Sequence, residues 1–327
     1  MKTIWKDILT ALLMGMVVPG SLLNVTVALL DRNPESPVPA QTAAQETVPE
    51  TVPETVGLSM RLRKSDGSVE EMDMDTYLVG VVLAEMPASF EPEALKAQAV
   101  VARTYTQKAY ETGGKHGDGS VCTSSYCCQA YVTEADYLSQ GGTQEGLAKI
   151  RDAVTATSGY VLTYGGELIE ATYFSCSGGS TEDAAAVWGT DFPYLQAVAS
   201  PGEENAAHFM DTVTFTPQVF QDVLGTRLSG SPRSWFGSAT YTSGGGVATI
   251  TIGGGTYTGT QLRALFGLRS TAFTVSATDT EITITTHGYG HRVGMSQYGA
   301  DAMAVSGSTF EEILAYYYQG TELTRLC

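Results

Sequence analysis

The sequence predicts an α+β fold with two lobes and a substrate groove, preceded by a transmembrane helix and a disordered spacer. Helical and strand patterns follow one another without regular alternation, which argues against a doubly wound parallel sheet. A glycine-rich stretch at about 205–275 has its own short strands and helices, which indicates a smaller second lobe. Hydrophobic residues make up 43% of the chain, so a sizeable core is possible.

The N-terminal residues 1–30 are predicted to be a membrane anchor. The chain is uncharged from Ile8 to Leu30, long enough as a helix to cross a hydrocarbon core of about 30 Å. Lys2 and Lys6 precede this segment, so the positive-inside rule places the following body outside the cytoplasm. A cleaved signal peptide is the alternative, because residues 26–28 form a small-x-small cleavage pattern. In both cases the body is exported.

Residues 31–57 are predicted to be a disordered spacer rich in Pro and Glu. They contain no aromatic residue and include a short repeat of Thr-Val-Pro-Glu at 47–54. Such a segment cannot bury enough apolar surface to fold. The folded catalytic body is therefore expected at 58–327.

The body opens with a hairpin pattern at 58–70, and its further elements follow in order. The predicted elements are a buried helix Pro92–Tyr110, a helix Gln144–Thr157, a hairpin within Tyr160–Phe174, a glycine-rich hairpin at 248–255, a short helix Gln261–Phe266, strands Phe273–Ala277 and Glu281–Thr286, and helices Ser296–Ala304 and Phe310–Tyr318. Pro92 suits the first turn of its helix, and small apolar residues nearly surround that helix, which indicates burial.

The charge balance excludes one class of partner. The chain has 35 Asp and Glu against 18 Lys and Arg, a formal net charge of -17. A nucleic-acid-binding protein neutralises phosphates with a basic surface, so we expect no nucleic-acid partner.

Glu85 is the first candidate catalytic residue. It follows the apolar run 78–84, and a carboxyl group in apolar surroundings has a raised pKa, as a general acid needs. Glycoside hydrolysis normally uses two carboxylates, whereas a reaction whose nucleophile comes from the substrate could use one. The alternative is a structural carboxylate bonded to the start of the next helix.

Lys96 and Arg103 are seven residues apart on the predicted helix and therefore share one face. They could bind carboxylates of a polymeric substrate, or they could pair with the many acidic residues of the chain.

His116, Cys122, Cys127 and Cys128 offer one imidazole and three thiols within one short segment. Four such ligands bind one structural zinc ion tetrahedrally and leave no open position. Disulfides are the alternative in an exported body, and one of the adjacent cysteines could pair with Cys176.

Two polar, glycine-rich stretches could bind sugar hydroxyl and acetamido groups. One follows a predicted strand, and the other precedes a predicted helix that Ser296 could cap, which is the structural alternative. The candidate substrate-binding residues in them are Tyr173, Ser175, Ser177, His291, Ser296, Gln297 and Tyr298.

Four separated motifs resemble the stage II sporulation protein D family. They are Tyr77–Pro87, Glu93–Tyr105, Tyr173–Glu182 and Gly290–Ala300, in the same order as in the family. The resemblance implies a peptidoglycan lytic transglycosylase that cleaves denuded glycan strands after N-acetylmuramic acid and leaves 1,6-anhydro ends during engulfment of the forespore. It also implies that Glu85, in the Glu-Met-Pro motif, is the catalytic acid and base.

The resemblance further implies partners, a location and a metal. The partners are stage II sporulation proteins P and M, and the location is the mother-cell membrane, with the body facing the septal or forespore wall. Clostridial relatives bind zinc through a similar loop, which carries over to His116, Cys122, Cys127 and Cys128, although Cys127 stands where those relatives more often have His. Arg292 stands where the family often has Gly.

Denuded glycan carries free carboxylates, which a net charge of -17 repels on average. We therefore expect Lys96, Arg103 and Arg292 to provide local positive charge. The alternative function is a non-catalytic glycan-binding module, because related domains occur in amidase enhancer proteins. A zinc hydrolase is a third and weaker option, since the four ligands fill the coordination sphere.

Overall fold

The structure is a computed structural model that describes residues 58–326. The predicted anchor at 1–30 and the predicted spacer at 31–57 lie outside the described residues. No helix within residues 58–326 is both long and apolar enough to cross a bilayer.

Nine α-helices occur within residues 58–326, and they confirm the α+β class together with several small sheets. The helices are α1 (Met74–Glu85), α2 (Pro92–Thr112), α3 (Glu134–Ser139), α4 (Gln144–Ala156), α5 (Ala184–Trp188), α6 (Pro217–Leu224), α7 (Gly259–Phe266), α8 (Gln297–Val305) and α9 (Phe310–Tyr317). Single 3₁₀ turns lie at Gly114–His116 and Pro232–Ser234.

The strands form five small sheets. They are β1 (Ser59–Arg63), β2 (Val69–Asp73), β3 (Ser120–Cys122), β4 (Tyr160–Tyr164), β5 (Glu167–Leu168), β6 (Tyr173–Phe174), β7 (Met210–Phe215), β8 (Phe236–Tyr241), β9 (Val247–Ile252), β10 (Gly255–Thr258), β11 (Phe273–Ala277), β12 (Ile282–His287), β13 (Met295–Ser296) and β14 (Glu322–Arg325). Their spatial orders are β2-β1-β3, β14-β4-β5, β13-β6, β10-β9-β8 and β11-β12-β7. Pairing is antiparallel except in β1-β3 and β6-β13.

Helix α2 is the centre of the main lobe. It packs against α1, α4, α8, α9 and β4, and most of its residues between Ala94 and Thr106 are buried. Pro92 lies in the first turn, where its missing N–H costs nothing, and Gly113 ends the helix with a φ of 86°. The small side chains of Ala97, Ala99 and Ala102 let neighbouring helices approach closely, so this predicted helix is confirmed as a buried one.

Helix α1 was not predicted as a helix. The side chain of Asp73 caps it by accepting a hydrogen bond from the N–H of Thr76, and eight of its residues are buried. An apolar run that is buried all round has no helical periodicity, which explains why the pattern was inconclusive. Its last residue is Glu85, so the end of α1 fixes where that carboxyl group stands.

A second hydrophobic cluster forms the smaller lobe. Phe220 stacks on Phe266 with ring centroids 4.7 Å apart, and the sheets β7-β12-β11 and β8-β9-β10 surround these rings. The cluster reaches Ile284, so its strands extend past residue 275 through β12. The two strands predicted in this part, and the short helix now seen as α7, are confirmed within two residues at each end.

The hairpin predicted within Tyr160–Phe174 is confirmed only for its first part. Strands β4 and β5 pair around the Gly165-Gly166 turn. Tyr173 and Phe174 instead pair with Met295 and Ser296 as the parallel strands β6 and β13. This long-range pairing brings the two polar, glycine-rich stretches side by side.

Candidate functional site

One cavity of about 760 Å³ collects half of the predicted polar site residues. Its lining includes the end of α1, the segment 125–129, β6, the end of α5, the loop after β12 and one residue of α7. Seven predicted site residues line it: the candidate acid and saccharide-binding residues Glu85, Tyr173, Ser175, His291 and Gln297, and the candidate metal ligands Cys127 and Cys128.

Glu85 is held at the cavity by two hydrogen bonds. Its Oε1 accepts from the backbone N–H of Ala130 at 2.8 Å, and its Oε2 accepts from Nε2 of Gln297 at 3.5 Å. Burial raises the pKa of Glu85, and the hydrogen bonds from Ala130 and Gln297 and the nearby hydroxyl of Tyr173 only partly oppose this rise. The carboxyl group therefore holds its proton to a higher pH than an exposed glutamate and can act as an acid.

Gln297 reaches Glu85 because of the strand pairing and the helix start beside it. Ser296 pairs with Phe174 at the end of β13, and its Oγ accepts from the N–H of Gly299, which caps α8. Gln297 is the first residue of that helix, and its Nε2 also lies 3.5 Å from Oε1 of Gln98. The helix start thus aims an amide at the acid.

Tyr173 stands beside Glu85 in a chain of polar groups. Its hydroxyl donates to Oε1 of Gln129 at 3.1 Å, and Nε2 of Gln129 donates to Oγ1 of Thr106 at 2.9 Å. Burial, followed by the negative charge of Glu85, raises the pKa of Tyr173 well above its ordinary value. Tyr173 therefore stays protonated and can donate a hydrogen bond.

His291 is neutral in this wall. Burial, followed by the positive charge of Arg263, lowers the pKa of His291 to about 4. Its Nδ1 accepts from the N–H of Val293 at 3.1 Å, so the ring proton is on Nε2. At neutral pH His291 can orient a ligand but carries no charge.

Three predicted saccharide-binding residues lie away from the cavity lining. Ser177 and Ser296 are fully buried. Their hydroxyl oxygens accept hydrogen bonds from the backbone N–H groups of Gly179 and Gly299, respectively. The ring of Tyr298 packs edge-on against Phe90 at 5.0 Å. These side chains support the wall, which corrects the expectation that they contact a substrate directly.

Lys96 and Arg103 follow the alternative that the sequence left open. Arg103 is fully buried, where it pairs with Asp75 at 2.9 Å and donates to the carbonyl of Thr157 at 2.7 Å. Lys96 pairs with Glu93 at 2.6 Å. Neither lines the cavity, so the expectation that they bind substrate carboxylates is corrected: both neutralise acids of this chain.

Arg292 also lies in the interior. It is the one residue other than glycine, within 58–326, with a positive φ, at 66°. Its guanidinium bonds Glu182 at 3.1 Å and the carbonyls of Ser177 and Gly244 at 2.7 Å each, while Oε1 of Glu182 accepts from the N–H of Gly246 at 2.8 Å. Gly244 and Gly246 belong to the β8-β9 turn, so this buried ion pair fastens the second lobe to the main lobe and is closed to substrate.

The four predicted metal ligands converge on one point. One ligand atom from each of His116, Cys122, Cys127 and Cys128 lies within 4.8 Å of the others. Nε2 of His116 is 3.8 Å from Sγ of Cys127 and 3.6 Å from Sγ of Cys128, and the two sulfurs are 3.9 Å apart. Around a tetrahedral zinc ion, sulfur pairs are expected about 3.8 Å apart and nitrogen-sulfur pairs about 3.6 Å apart. The donor set therefore fits one closed tetrahedral metal ion.

The thiols of this cluster are free, and the alternative disulfide with Cys176 is not formed. Cys176 is fully buried elsewhere and donates to Glu203 at 3.0 Å. At Cys122, burial opposes ionisation, but hydrogen bonds from the Ser124 backbone and from His116 outweigh it and lower the pKa to about 7. Cys122 is thus partly thiolate at neutral pH.

Several cavity residues were missed by the sequence reasoning. They are Tyr105, Lys115, Gln129, Glu170, Trp188 and Arg263. Only Trp188 has a feature that the sequence could have shown: it stands directly before Gly189, which ends its helix. A large apolar side chain is seldom exposed at such a position, and Trp188 is 43% exposed. The others come from separate elements, and only the folded chain brings them together.

The half-buried acid Glu85 in this cavity and the Cys and His cluster beside it define a candidate enzyme site. The family model "Stage II sporulation protein" matches residues 63–164. The chain is 42% identical to stage II sporulation protein D of Bacillus subtilis over 80% of this chain and 77% of that protein. It is 38% identical to stage II sporulation protein D of Bacillus amyloliquefaciens over the same shares.

The amidase enhancer of Bacillus subtilis is more distant, at 31% identity over 76% of this chain and 40% of that protein. The chain belongs to the stage II sporulation protein D family. Membership of this family supports a role in sporulation and suggests an enzyme that acts on the cell wall.

Proposed function

We propose that the chain is a lytic transglycosylase that cleaves peptidoglycan glycan strands free of stem peptides. The observation that carries the proposal is Glu85, whose carboxyl group lines the cavity with a raised pKa and faces two neutral hydrogen-bond donors, Gln297 and the Ala130 N–H. A protonated carboxyl group in a cavity large enough for a sugar is what a glycosidic leaving group needs.

The reaction needs one acid that later becomes a base. Protonated Glu85 gives its proton to the glycosidic oxygen after N-acetylmuramic acid, while the bond from C1 to that oxygen breaks. The resulting carboxylate then takes the proton of the 6-hydroxyl of the same sugar as that oxygen bonds to C1. The products are a free 4-hydroxyl and a 1,6-anhydro end, no water is consumed, and Glu85 regains its proton.

The other carboxylate in the cavity supports a one-acid mechanism. Glu170 is paired with Nζ of Lys108 at 2.8 Å, whereas Glu85 has no ion-pair partner within 58–326. Because the charge of Glu170 is already balanced by Lys108, this carboxylate is poorly suited to attack or to activate water. Glu85 alone has the environment of an acid.

The test compares Glu85→Gln with the wild-type chain on purified glycan stripped of stem peptides. Loss of one general acid typically costs a factor of about 100 to 10,000, so the variant should form no detectable anhydro ends by mass spectrometry. Unchanged turnover would remove Glu85 from the mechanism.

Two further variants serve as controls. Glu145→Gln, an exposed residue in the first turn of α4, should turn over glycan as the wild type does. Glu170→Gln should keep activity within about tenfold of the wild type. If it lost as much as Glu85→Gln, a two-carboxylate mechanism would replace the one proposed.

Zinc is proposed as the ion that His116, Cys122, Cys127 and Cys128 hold. When bound, it would supply structural cross-linking of this loop and no reactive position, because the four side chains fill a tetrahedral sphere. Two residues after Cys128, the N–H of Ala130 contacts Glu85, so the loop sets the position of a donor to the acid. Gln129, next to Cys128, holds the hydroxyl of Tyr173.

A non-catalytic module that enhances an amidase is the second candidate, and the likeness to the amidase enhancer favours it. Both functions need the same glycan cavity but differ in the need for Glu85. If well-folded wild-type chain released no anhydro ends but stimulated an amidase, and Glu85→Gln stimulated it equally, this second function would be supported.

The location and partners are proposals as well. An anchor at 1–30 would keep the chain in the mother-cell membrane with its body toward the septal or forespore wall. Stage II sporulation proteins P and M would be its partners, since a strand must lose its stem peptides before this cavity receives it. Pull-down of the full chain with tagged protein P or M tests this proposal, and no enrichment over a membrane control would count against it.

A further inference from the structure

A second part of the cavity wall carries an exposed indole and an arginine. Trp188 ends α5 and lies against the ring of His291, with centroids 5.3 Å apart and planes inclined by 55°. The ring of Phe174 also packs near His291, with centroids 5.7 Å apart and planes inclined by 63°. Two aromatic rings thus contact His291, and Trp188 keeps 43% of its surface exposed.

Arg263 comes from α7 of the second lobe and lines the same cavity. Most lysines and arginines within 58–326 form an ion pair with a carboxylate, but Arg263 does not. Its one hydrogen bond there is a long one, from Nε to the carbonyl of Leu268 at 3.4 Å. In a chain with 35 acidic and 18 basic residues, a half-buried arginine without an acidic partner is conspicuous.

The charge of Arg263 acts on the same wall as Trp188. Arg263, His291 and Trp188 line the same cavity, and after burial the positive charge of Arg263 has the largest influence on the pKa of His291. Lys115 adds a weaker positive influence on His291 and also lines the cavity. The cavity therefore has a positive side that none of the predicted cations Lys96, Arg103 and Arg292 provides.

We propose that Arg263 and Trp188 form a subsite for a sugar that bears a free carboxylate. Trp188 offers its face to the apolar side of the pyranose ring, and the planar guanidinium of Arg263 binds the carboxylate. Resting on the proposed function, this sugar is muramic acid whose lactyl carboxylate is free. A stem peptide joined to that carboxylate as an amide removes its charge, so the subsite favours stripped strands.

The test measures binding in the Glu85→Gln background, where the ligand is not consumed. Two probes are compared by calorimetry: a muramic acid-containing glycan fragment with free lactyl carboxylates, and the same fragment with those carboxylates as methyl esters. The Glu85→Gln protein, which is the parent of the variants below, should bind the acid form about tenfold or more tightly than the ester. The reason is that the ester cannot form the ion-paired hydrogen bond. Added salt should narrow this ratio.

Variants then assign the preference to its residues. Arg263→Gln should bind both forms with the affinity of the ester, and Arg263→Lys should retain part of the preference. Trp188→Ala should weaken both forms by a similar factor. Arg227→Gln, an exposed arginine of the same lobe paired with Asp222 at 3.3 Å, should leave the ratio unchanged. Circular dichroism of each variant confirms folding before binding is compared.

The subsite is overturned if the parent does not prefer the acid form, including the case of no measurable affinity for either form. It is also overturned if folded Arg263→Gln keeps the full preference. The proposed function fails separately, when the wild-type chain leaves the acid-form glycan uncut, whatever its binding preference.

Discussion

The two lobes contribute differently to the cavity. The main lobe provides the acid, Glu85, and every group that hydrogen-bonds its carboxylate, including Ala130 and Gln297. The second lobe provides Arg263, a cation without an acidic partner within 58–326. In the main lobe a hydrogen-bond network influences the pKa of Glu85, whereas in the second lobe the charge of Arg263 is available to a ligand.

This difference implies that chemistry and selection can be changed separately. Perturbing the main lobe should alter turnover and its pH dependence, while perturbing the second lobe should alter which strands bind. A buried ion pair, Arg292 and Glu182, joins the two lobes through its hydrogen bonds with the β8-β9 turn.

The largest effect is expected from Arg292→Met, which breaks the joint. It leaves the fully buried carboxylate of Glu182 without its cation, so the free energy of unfolding should fall by about 3–5 kcal/mol in urea titrations. Adding Glu182→Gln should recover part of this loss, because the uncompensated charge disappears. Arg227→Met, at an exposed pair, should change stability by less than about 0.5 kcal/mol.

Loss of the metal should disturb the main-lobe side. Cys128→Ser, or treatment with a chelator, should lower turnover about 10- to 100-fold, because the loop that positions the Ala130 donor is no longer fixed. Readdition of zinc should restore the chelated wild-type chain but not the variant. An elemental analysis that finds no zinc in active protein would contradict this account of the cluster.

Gln297→Met should change the pH dependence of the reaction. The variant lacks an N–H that favours the ionised form of Glu85, so the pKa of Glu85 should rise further. Because the acid must be protonated, the alkaline limb of the pH-rate profile should move up, by no more than about one pH unit. A limb that moved down would show that Gln297 holds the protonated form instead.

The smallest effect concerns stability. The pKa of Glu85 is higher in the folded chain than in the unfolded chain. Its contribution to the free energy of unfolding is therefore fully present below the pKa of the unfolded chain, and it is lost as the pH rises through the pKa of the folded chain. Glu85→Gln has no such loss. Relative to the wild type, its melting temperature should therefore gain more at pH 8 than at pH 5, by the equivalent of about 1 kcal/mol or less. An equal gain at both pH values would argue against a raised pKa.

Local patterns predicted much of this fold. Helix α2 was clear because strong helix formers follow Pro92, and the metal cluster was clear because its ligands lie within one short segment. Helix α1 was missed, because burial all round removes the periodicity that marks a helix.

The charged residues were harder to place, because burial and pairing depend on distant segments. Arg103 meets the carbonyl of Thr157 from another helix end, and Arg292 meets the β8-β9 turn. Arg263, from the second lobe, lines the same cavity as Trp188 and His291 only because distant segments of the chain pack together. Spacing along the chain could show that cations were present, but not which of them would remain unpaired.

The most direct test of the one-acid mechanism is cleavage of stripped glycan in water enriched in oxygen-18. If Glu85 directs the sugar's own 6-hydroxyl to C1, the N-acetylmuramic acid end of every cut made by the wild-type chain should be a 1,6-anhydro end without the heavy oxygen. Glu85→Gln should form none. New reducing ends that carry oxygen-18 would show that water is the nucleophile, and the one-acid mechanism would have to be abandoned.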